Sequence, residues 1–558
     1  MSSMGKRVNN NRKKTAGSAG MEILSYLMEM ITAVYLFFML CIYPLWYKNK
    51  YFDIGTAKYE FFSRISYCYI AIMITMLIIN IAILLSERKL NAAVRDSDKN
   101  AICTSTDWFA AIYLLIAYVS YLFSMYTDTA LHGYDGWFMG LLTQMIFILT
   151  YFFISRYWKW SPAMLLMGIF AAALVYFLAI IMRFGVDVLG MYKNVRVDDI
   201  EKFVSTWGQL TWYSSYAVLL LPIGIYYFCN DDVIWTRAFS GVFICLGSMS
   251  IVSVNSDSAY VALPLILLVF GWYAFESNKK FGRYLELCIL ILGSFLLLGV
   301  LKKVTGSFYV FAYDSVVISE FVSGNLLMWL ILGVLVLIYT AFRLYEYYVT
   351  KNRLKNNFDI KRFKPLRTVL VGLVIVGIWG VVLLIILTTN DKLPSSLEFL
   401  KNISFFNFDD YWGNVRGFNW KMAVKGFLSG DMKDRLIGVG PDCFVKAMDV
   451  YCKTDVARVW GGMNLACAHN EVLNMLVTVG ILGTIAYYGC MISLFVRLGR
   501  IAKKEPFAIA IMAVIIAYIG HNFFCYQTCA CTPYLFIFMG MGEMMLRKNI
   551  REMKTGKG

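Results

Sequence analysis

Long apolar runs separated by short polar breaks restrict what this sequence can fold into. About 20 apolar residues in a row are enough to cross a bilayer as a helix, whereas membrane strands need only about 10 residues and alternate apolar with polar side chains. The runs here are long and continuously apolar, as in residues 368–388. With 59% hydrophobic and 16% charged residues, the chain also has too few polar side chains to cover a water-soluble surface. We therefore predict an all-α polytopic integral membrane protein.

The breaks between these runs predict about fourteen transmembrane helices. The first run follows the basic stretch GKRVNNNRKKT and has no small-residue cleavage site, so we expect an uncleaved anchor. The predicted spans are residues 24–46, 65–85, 108–126, 137–155, 162–182, 213–229, 238–255, 259–275, 284–301, 325–342, 368–388, 472–496, 507–526 and 533–546.

The distribution of basic residues predicts the orientation. Lys and Arg accumulate in alternate loops, and cytoplasmic loops are the ones that carry such an excess. We interpret the net charge of +16 as a topology signal and an attraction to lipid head groups. Nucleic-acid binding is the weaker interpretation, because no soluble fold or aromatic–basic interleaving accompanies the charge. The predicted order is a cytoplasmic basic tail (1–23), eleven spans (24–388), a large extracytoplasmic loop (389–470), three spans (471–546) and a cytoplasmic tail (547–558).

The large loop contains predicted short helices. Its stretch NWKMAVKGFLSG (419–430) is amphipathic, which suits a helix on the membrane surface or one packed against the loop itself. A second helix is predicted to begin at Pro441, because proline is favoured at the first helical position. The preceding Gly438–Gly440 turn could cradle a phosphate, although Asp442 would oppose an anion and favours a structural turn. A disulfide among the loop cysteines stays open.

Arg416 and His469 are the loop residues with the most useful chemistry. Arginine can hold a diphosphate through paired N–H donors, but it can equally be a solvated surface residue. His469 precedes Asn470, a plausible helix N-cap. The positive end of that helix disfavours an imidazolium, so His469 would be neutral and able to accept a proton, although Glu471 works against this. An interfacial histidine that only binds lipid or backbone is the alternative.

Two other histidines compete with His469. His132 lies in another predicted outer loop, in TALHGYDGW. His521 lies inside a predicted span, where ionisable residues are functional candidates by default. It could instead hydrogen-bond a neighbouring helix.

Several segments together resemble the O-antigen ligase/O-antigen polymerase superfamily of polytopic glycosyltransferases with a GT-C-type fold. The most specific is AHNEVLNMLVTVGILGT, preceded by RGFNW and LIGVGPDCF. STWGQLTWYSSYAVLLLPIG (205–224) and SVNSDSAYVAL (253–263) are similar to two further family blocks.

The resemblance implies transfer of a glycan from an undecaprenyl-diphosphate carrier to a hydroxyl-bearing glycan or lipid acceptor. The family acts at the outer face of the bacterial cytoplasmic membrane and uses no nucleotide, metal or other cofactor. Its loop histidine corresponds to His469 and its loop arginine to Arg416, which the resemblance implies are catalytic.

The sequence departs from the family at positions that bear on the substrate. The family often has Gly-Asn-x-Asn where residues 208–211 are Gly-Gln-Leu-Thr, and the segment HGYDGWFMG lacks an arginine that many relatives carry. Arg183 and Arg196 are the substitutes we consider, and we expect Asn470 and Lys421 to contact substrate as well.

Two other functions remain open. A transporter or flippase for a lipid-linked glycan would use ionisable residues in mid-membrane, for which Glu29, His521 and Glu543 are the candidates. A metal-dependent glycosyltransferase would need a converging acidic pair facing outward, and Asp409-Asp410 and Asp198-Asp199 are the adjacent pairs available.

Overall fold

The computed structural model describes residues 16–86, 103–306, 317–352 and 358–554. Residues 1–15 of the predicted first tail and residues 555–558 of the last one lie outside these ranges. In chain order the α-helices are α1 (Ala16–Phe37), α2 (Ile54–Ser86), α3 (Ser105–Leu122), α4 (Thr127–His132), α5 (Leu141–Tyr157), α6 (Pro162–Arg183), α7 (Leu210–Asn230), α8 (Ile234–Val254), α9 (Asp257–Ala274), α10 (Asn278–Thr305), α11 (Val317–Gly324), α12 (Leu326–Lys351), α13 (Lys364–Thr389), α14 (Trp412–Ser429), α15 (Met432–Ile437), α16 (Phe444–Tyr451), α17 (Lys453–Trp460), α18 (Glu471–Thr478), α19 (Gly480–Ile501), α20 (Phe507–Asn522) and α21 (Thr532–Lys554).

Short elements of other kinds connect these helices. A π-helical turn, Phe38–Ile42, extends α1, and two-residue strands β1 (Phe203–Val204) and β2 (Gly208–Gln209) pair antiparallel before α7. The 3-10 helices are Tyr43–Leu45, Val197–Lys202, Ile360–Phe363, Ser395–Asn402 and Ser404–Phe406.

Within the described ranges, eleven helices are long and apolar enough to cross a membrane. Two shorter apolar helices, α5 and α20, accompany them. The protein is therefore a helical multi-pass membrane protein, as the apolar runs predicted. Each of the fourteen predicted spans overlaps a described helix, the last of them α21. The count of fourteen and the orientation stay predictions.

Polar side chains at the helix starts explain several boundaries. Thr104 and Asp107 form a capping box at the start of α3, in which each side chain accepts the other residue's backbone N–H. Ser161 caps α6 ahead of Pro162, and Ser277 caps α10. These residues stand in the polar breaks between apolar runs, where a new helix starts.

A buried group of charges joins four helices of the bundle. The Arg547 guanidinium contacts Asp107 of α3, and Arg156 of α5 lies 3.3 Å from the same carboxylate. Arg497 of α19 lies 2.6 Å from Glu543 of α21. The carboxylates of Asp107 and Glu543 are both buried. A charge that is buried away from water is stable only when an opposite charge lies next to it.

Residues 390–470, the loop segment, form a small hydrophobic core that also includes Val477 of α18. Phe418, Met422 and Ala423 of α14 pack with Phe444 and Met448 of α16. The predicted amphipathic helix therefore packs against the loop segment with this face, while Val424 and Leu428 are exposed.

The prediction of a helix from Pro441 is wrong, because α16 begins at Phe444. Asp442 has a left-handed backbone, with φ of +57°. Its carboxylate accepts the backbone N–H groups of Tyr134 at 2.8 Å and Met139 at 2.9 Å. Asp442 thus ties the loop segment to the α4–α5 connection and delays the helix by three residues.

The glycine turn ahead of Asp442 is structural. The Val439 and Gly440 N–H groups donate to the carbonyls of Val477 and Thr478, so they are not available to a phosphate. A Cβ atom at Gly440 would lie 2.6 Å from the Ser124 hydroxyl oxygen. All thirteen cysteines are free thiols.

Candidate active site

His469 lies where the loop segment meets α18. The Asn470 side chain accepts the Leu473 N–H at 3.0 Å and so is the N-cap that was predicted. Its amide also donates to the Phe523 carbonyl at 3.0 Å. The Trp420 indole N–H donates to the His469 carbonyl at 3.4 Å. The backbone around the imidazole is therefore held by the Trp420 side chain of α14 and, through Asn470, by the backbone carbonyl of Phe523 just after α20.

The His469 imidazole is half-buried and poorly satisfied. Its Nδ1 is buried and has no hydrogen-bond partner among the described residues. The Tyr526 ring packs edge-on, with ring centres 5.3 Å apart. Burial, and then the positive charge of Arg416, lower the pKa of His469 from 6.5 to about 4. The side chain is therefore neutral at pH 7, as predicted, with burial and Arg416 as the causes.

Glu471 does not pair with His469. Its buried carboxylate accepts the hydroxyls of Tyr518 at 2.6 Å, Tyr488 at 3.0 Å and Tyr487 at 3.1 Å. Three phenol donors satisfy the carboxylate from α19 and α20. The expected opposition of Glu471 to a neutral His469 is therefore absent from the described contacts.

Arg416 lies close enough to His469 for its charge to lower the pKa of the imidazole, and its own donors are only partly satisfied. Its side chain is 14% exposed, and its Nη1 donates to the Gly413 carbonyl at 2.9 Å. The same nitrogen is 3.7 Å from the Asp257 carboxylate. The Arg416 Nε is buried without a partner in the described structure. The guanidinium thus keeps an unused donor, and among the described residues it pairs with the exposed Asp257 carboxylate.

Backbone strain accompanies both residues. Gly413, Asn414 and Val415 are left-handed immediately before Arg416, and His469 itself has φ of +50°. A left-handed β-branched residue such as Val415 is a genuine outlier. Such residues cost about 1–3 kcal/mol each and cluster at functional sites.

The structure does not gather all the predicted substrate residues. Lys421 is 2.8 Å from the Asp410 carboxylate and lies over the Phe408 ring. Arg183 is buried at the end of α6 and donates to the Glu201 carbonyl at 3.0 Å, whereas Arg196 is exposed. In the described ranges no hydrogen bond or ion pair joins Arg183, Arg196 or Lys421 to His469 or Arg416. The Asn470 side chain already bonds to two backbone groups, the Leu473 N–H and the Phe523 carbonyl. Substrate contact by these four residues stays a prediction.

Sequence reasoning missed Asp257 and Tyr526. Asp257 opens α9 and faces Arg416, and the Tyr526 hydroxyl donates to the Gln209 side chain at 3.3 Å. Gln209 is one of the two residues, with Thr211, that differ from the Gly-Asn-x-Asn pattern. Both contacts join distant parts of the chain, so no local pattern signals them.

An aromatic cluster, defined by Phe408, Trp412, Trp420, Phe523 and Phe524, borders the site. The rings of Trp412 and Trp420 are 5.4 Å apart, and Trp420 stacks on Phe524 at 6.0 Å. Trp412 and Trp420 lie four residues before and after Arg416 on α14. The aromatic cluster thus joins both ends of the Arg416 segment to the residues that follow α20.

The other histidines have different environments. His132 is exposed and lies 3.1 Å from the Asp128 carboxylate, four residues away. His521 is buried among serine hydroxyls near the end of α20.

No group of three or more His, Cys, Asp or Glu side chains within the described ranges could hold a metal ion. In the predicted acidic pair Asp409-Asp410, Asp410 lies between Lys421 and Arg458. Comparison of the sequence with protein-family models and with curated proteins finds no match.

Proposed function

We propose that the protein is a membrane glycosyltransferase of the O-antigen ligase/polymerase type. It transfers a glycan from an undecaprenyl-diphosphate carrier to a hydroxyl group of a glycan or lipid acceptor. One observation carries the proposal, namely a neutral imidazole with an unpartnered nitrogen beside an arginine with an unpartnered donor. The proposal includes fourteen spans, both termini in the bacterial cytoplasm and an extracytoplasmic 389–470 loop.

Arg416 and His469 have separate roles in the proposed reaction. The acceptor oxygen attacks the anomeric carbon of the sugar while the bond from that carbon to the phosphate oxygen breaks. The electron pair of that bond leaves with undecaprenyl diphosphate, and the Arg416 guanidinium stabilises the departing charge. The acceptor proton passes to His469 as general base. A single displacement inverts the configuration at the anomeric carbon. The lipid diphosphate already supplies a good leaving group, so the proposal needs no nucleotide.

The low basicity of His469 is consistent with activation by the substrate. A base works best when its pKa is near the working pH, and the pKa of about 4 for His469 is well below that. One cause of that low value is the charge of Arg416. A bound diphosphate neutralises that charge, so we expect the donor itself to raise the pKa of His469.

Reconstitution in vesicles tests the proposal against the flippase alternative. Purified protein is incubated with an undecaprenyl-diphosphate-linked oligosaccharide and a lipid or glycan acceptor, and products are analysed by mass spectrometry. A new glycosidic bond and released undecaprenyl diphosphate support a transferase. Movement of the intact donor between leaflets without a new bond would support a flippase and refute the proposal.

The flippase has less support from the described contacts. Glu29 lies 2.5 Å from Lys159, Glu543 pairs with Arg497, and His521 bonds to serines. These three mid-membrane candidates are engaged separately, whereas coupling ions to transport needs groups that share one pathway.

Arg416→Lys tests the paired recognition of the diphosphate. A lysine keeps the charge but loses the fork of donors, and hydrogen bonds to charged groups contribute about 1.5–3 kcal/mol. We therefore expect kcat/KM for the donor to fall about 10- to 100-fold, at an unchanged thermal unfolding midpoint. Lys425→Arg, on the same helix and paired with Asp455, is the matched control. Unchanged donor kinetics in Arg416→Lys would remove Arg416 from this role.

A further inference from the structure

The end of α20 connects the two halves of the candidate site. Its residues His521 and Asn522, with Phe523 directly after them, lie between the start of α9 and the start of α18. Asp257, the counter-charge of Arg416, is the first residue of α9, and His469 lies two residues before α18.

His521 bonds to two different helices through one nitrogen. Its Nε2 lies 2.8 Å from the Ser214 hydroxyl of α7 and 2.9 Å from the Ser258 hydroxyl of α9. Its Nδ1 lies 3.0 Å from the side-chain oxygen of the neighbouring Asn522. The imidazole is 1% exposed, so these contacts define its orientation.

Ser258 makes the connection to Arg416. It directly follows Asp257, whose carboxylate faces the Arg416 guanidinium. Ser256, the N-cap position of α9, bonds to the hydroxyls of Ser214 and Ser258 and does not cap the helix. The first turn of α9 is thus positioned by the His521 network rather than by its own cap.

Phe523 makes the connection to His469. Its carbonyl accepts the Asn470 amide N–H at 3.0 Å, and Asn470 directly follows His469. One residue, Asn522, therefore separates His521, which positions Asp257, from Phe523, whose carbonyl positions His469 through Asn470.

The arrangement of Ser258, His521 and Asn522 is like that of a hydrolytic Ser–His–Asn triad. A nucleophile must reach substrate, however, and Ser258 and His521 are each 1% exposed. Because both side chains are buried away from substrate, we assign the His521 imidazole a positioning role.

We propose that His521 is a positioning residue that holds the Asp257–Arg416 pair at a set distance from His469. The inference rests on the proposed function, because the distance matters when one substrate must reach both residues. A misplacement of about 1 Å can cost about 100-fold in rate.

Two serine variants separate positioning from general packing. Ser258→Ala and Ser214→Ala each remove one bond to the His521 Nε2 and one to the Ser256 hydroxyl, but only Ser258 lies in α9, directly after Asp257. We expect kcat to fall at least tenfold in Ser258→Ala and less than threefold in Ser214→Ala. His521→Ala should lose about 100-fold in kcat. His521→Gln, which keeps a side-chain acceptor, should recover most of it. Equal effects of the two serine variants, or full activity in His521→Ala, would overturn the proposal.

Hydrogen exchange of the full-length protein in detergent gives a readout without substrate. His521→Ala should speed exchange in residues 257–260 and 466–471 relative to the unmutated protein, whereas the matched His132→Ala should not. Unchanged exchange in both segments would refute the positioning role. If the unmutated protein transfers no glycan, the proposed function fails, and the exchange result still decides the role of His521.

Discussion

At the level of single residues, the site depends on an imidazole that burial and a neighbouring guanidinium keep neutral. The Nδ1 of His469 has no partner in the described structure, and its pKa is about 4. An unpartnered buried polar atom costs about 1–3 kcal/mol. Such a cost is expected at a site where a bound substrate or a proton supplies the missing hydrogen-bond partner.

His469→Ala tests the general base. Removal of such a base typically costs about 10²- to 10⁴-fold in rate, so kcat for glycan transfer should fall by that factor. Donor binding, measured with undecaprenyl diphosphate, should change little. His132→Ala removes an exposed histidine and serves as the control. Transfer at the unmutated rate in His469→Ala would exclude His469 as the base.

The pH dependence of transfer follows from the pKa of His469. The neutral form is the active one, so kcat/KM should be flat near pH 7 and fall as pH decreases through about 4. The midpoint in kcat should lie higher, because bound diphosphate offsets the charge of Arg416. Initial rates from about pH 3 to 8 at low and at saturating donor bracket both midpoints. A kcat midpoint at or below that of kcat/KM would contradict activation by the substrate.

At the level of elements, the loop segment is attached to the bundle by buried polar contacts rather than by apolar packing alone. Asp442 binds two backbone N–H groups of the α4–α5 connection, and the Ser124 hydroxyl donates to the Val439 carbonyl at 2.7 Å. These contacts bring α14 and α18, and with them Arg416 and His469, into one place.

Asp442→Ala should destabilise this attachment. It leaves two buried N–H groups without an acceptor, at about 1–3 kcal/mol each, and should lower the thermal unfolding midpoint. Asp442→Asn keeps the acceptor oxygen.

Burial raises the pKa of the Asp442 carboxyl from 3.8 to about 7, so the unfolded chain loses this proton first and stability falls as pH rises between those values. The Asn variant should lack that dependence. Equal midpoints of all three proteins from pH 5 to 8 would contradict this account.

At the level of the whole molecule, buried charges join helices from both ends of the chain. Asp107 of α3 contacts arginines of α5 and α21, and Glu543 of α21 contacts Arg497 of α19. The stability of the bundle end opposite the loop segment therefore depends on the pairing of these opposite charges.

Asp107→Asn should be strongly destabilising. It leaves Arg547, which is 4% exposed, facing a neutral side chain, with the Glu543 carboxylate 3.8 Å away. Removal of one partner from a buried pair costs up to about 3–5 kcal/mol. Thermal unfolding in detergent should show a clearly lower midpoint. Asp128→Asn, in an exposed pair, should leave the midpoint unchanged. Similar midpoints for the two variants would argue against the role of this charge group.

The sequence by itself determined where helices form and that they cross a membrane, because backbone groups in hydrocarbon must bond within a segment. It also determined the Asn470 cap, which depends on neighbours three residues apart. Tertiary structure alone decided that Asp257 faces Arg416 and that His521 bonds to Ser258. It also decided that Asp442 lies outside the helix that was expected to begin at Pro441. Each of these contacts joins segments far apart in the chain, and hydrophobic periodicity carries no information about which polar side chains meet when helices pack.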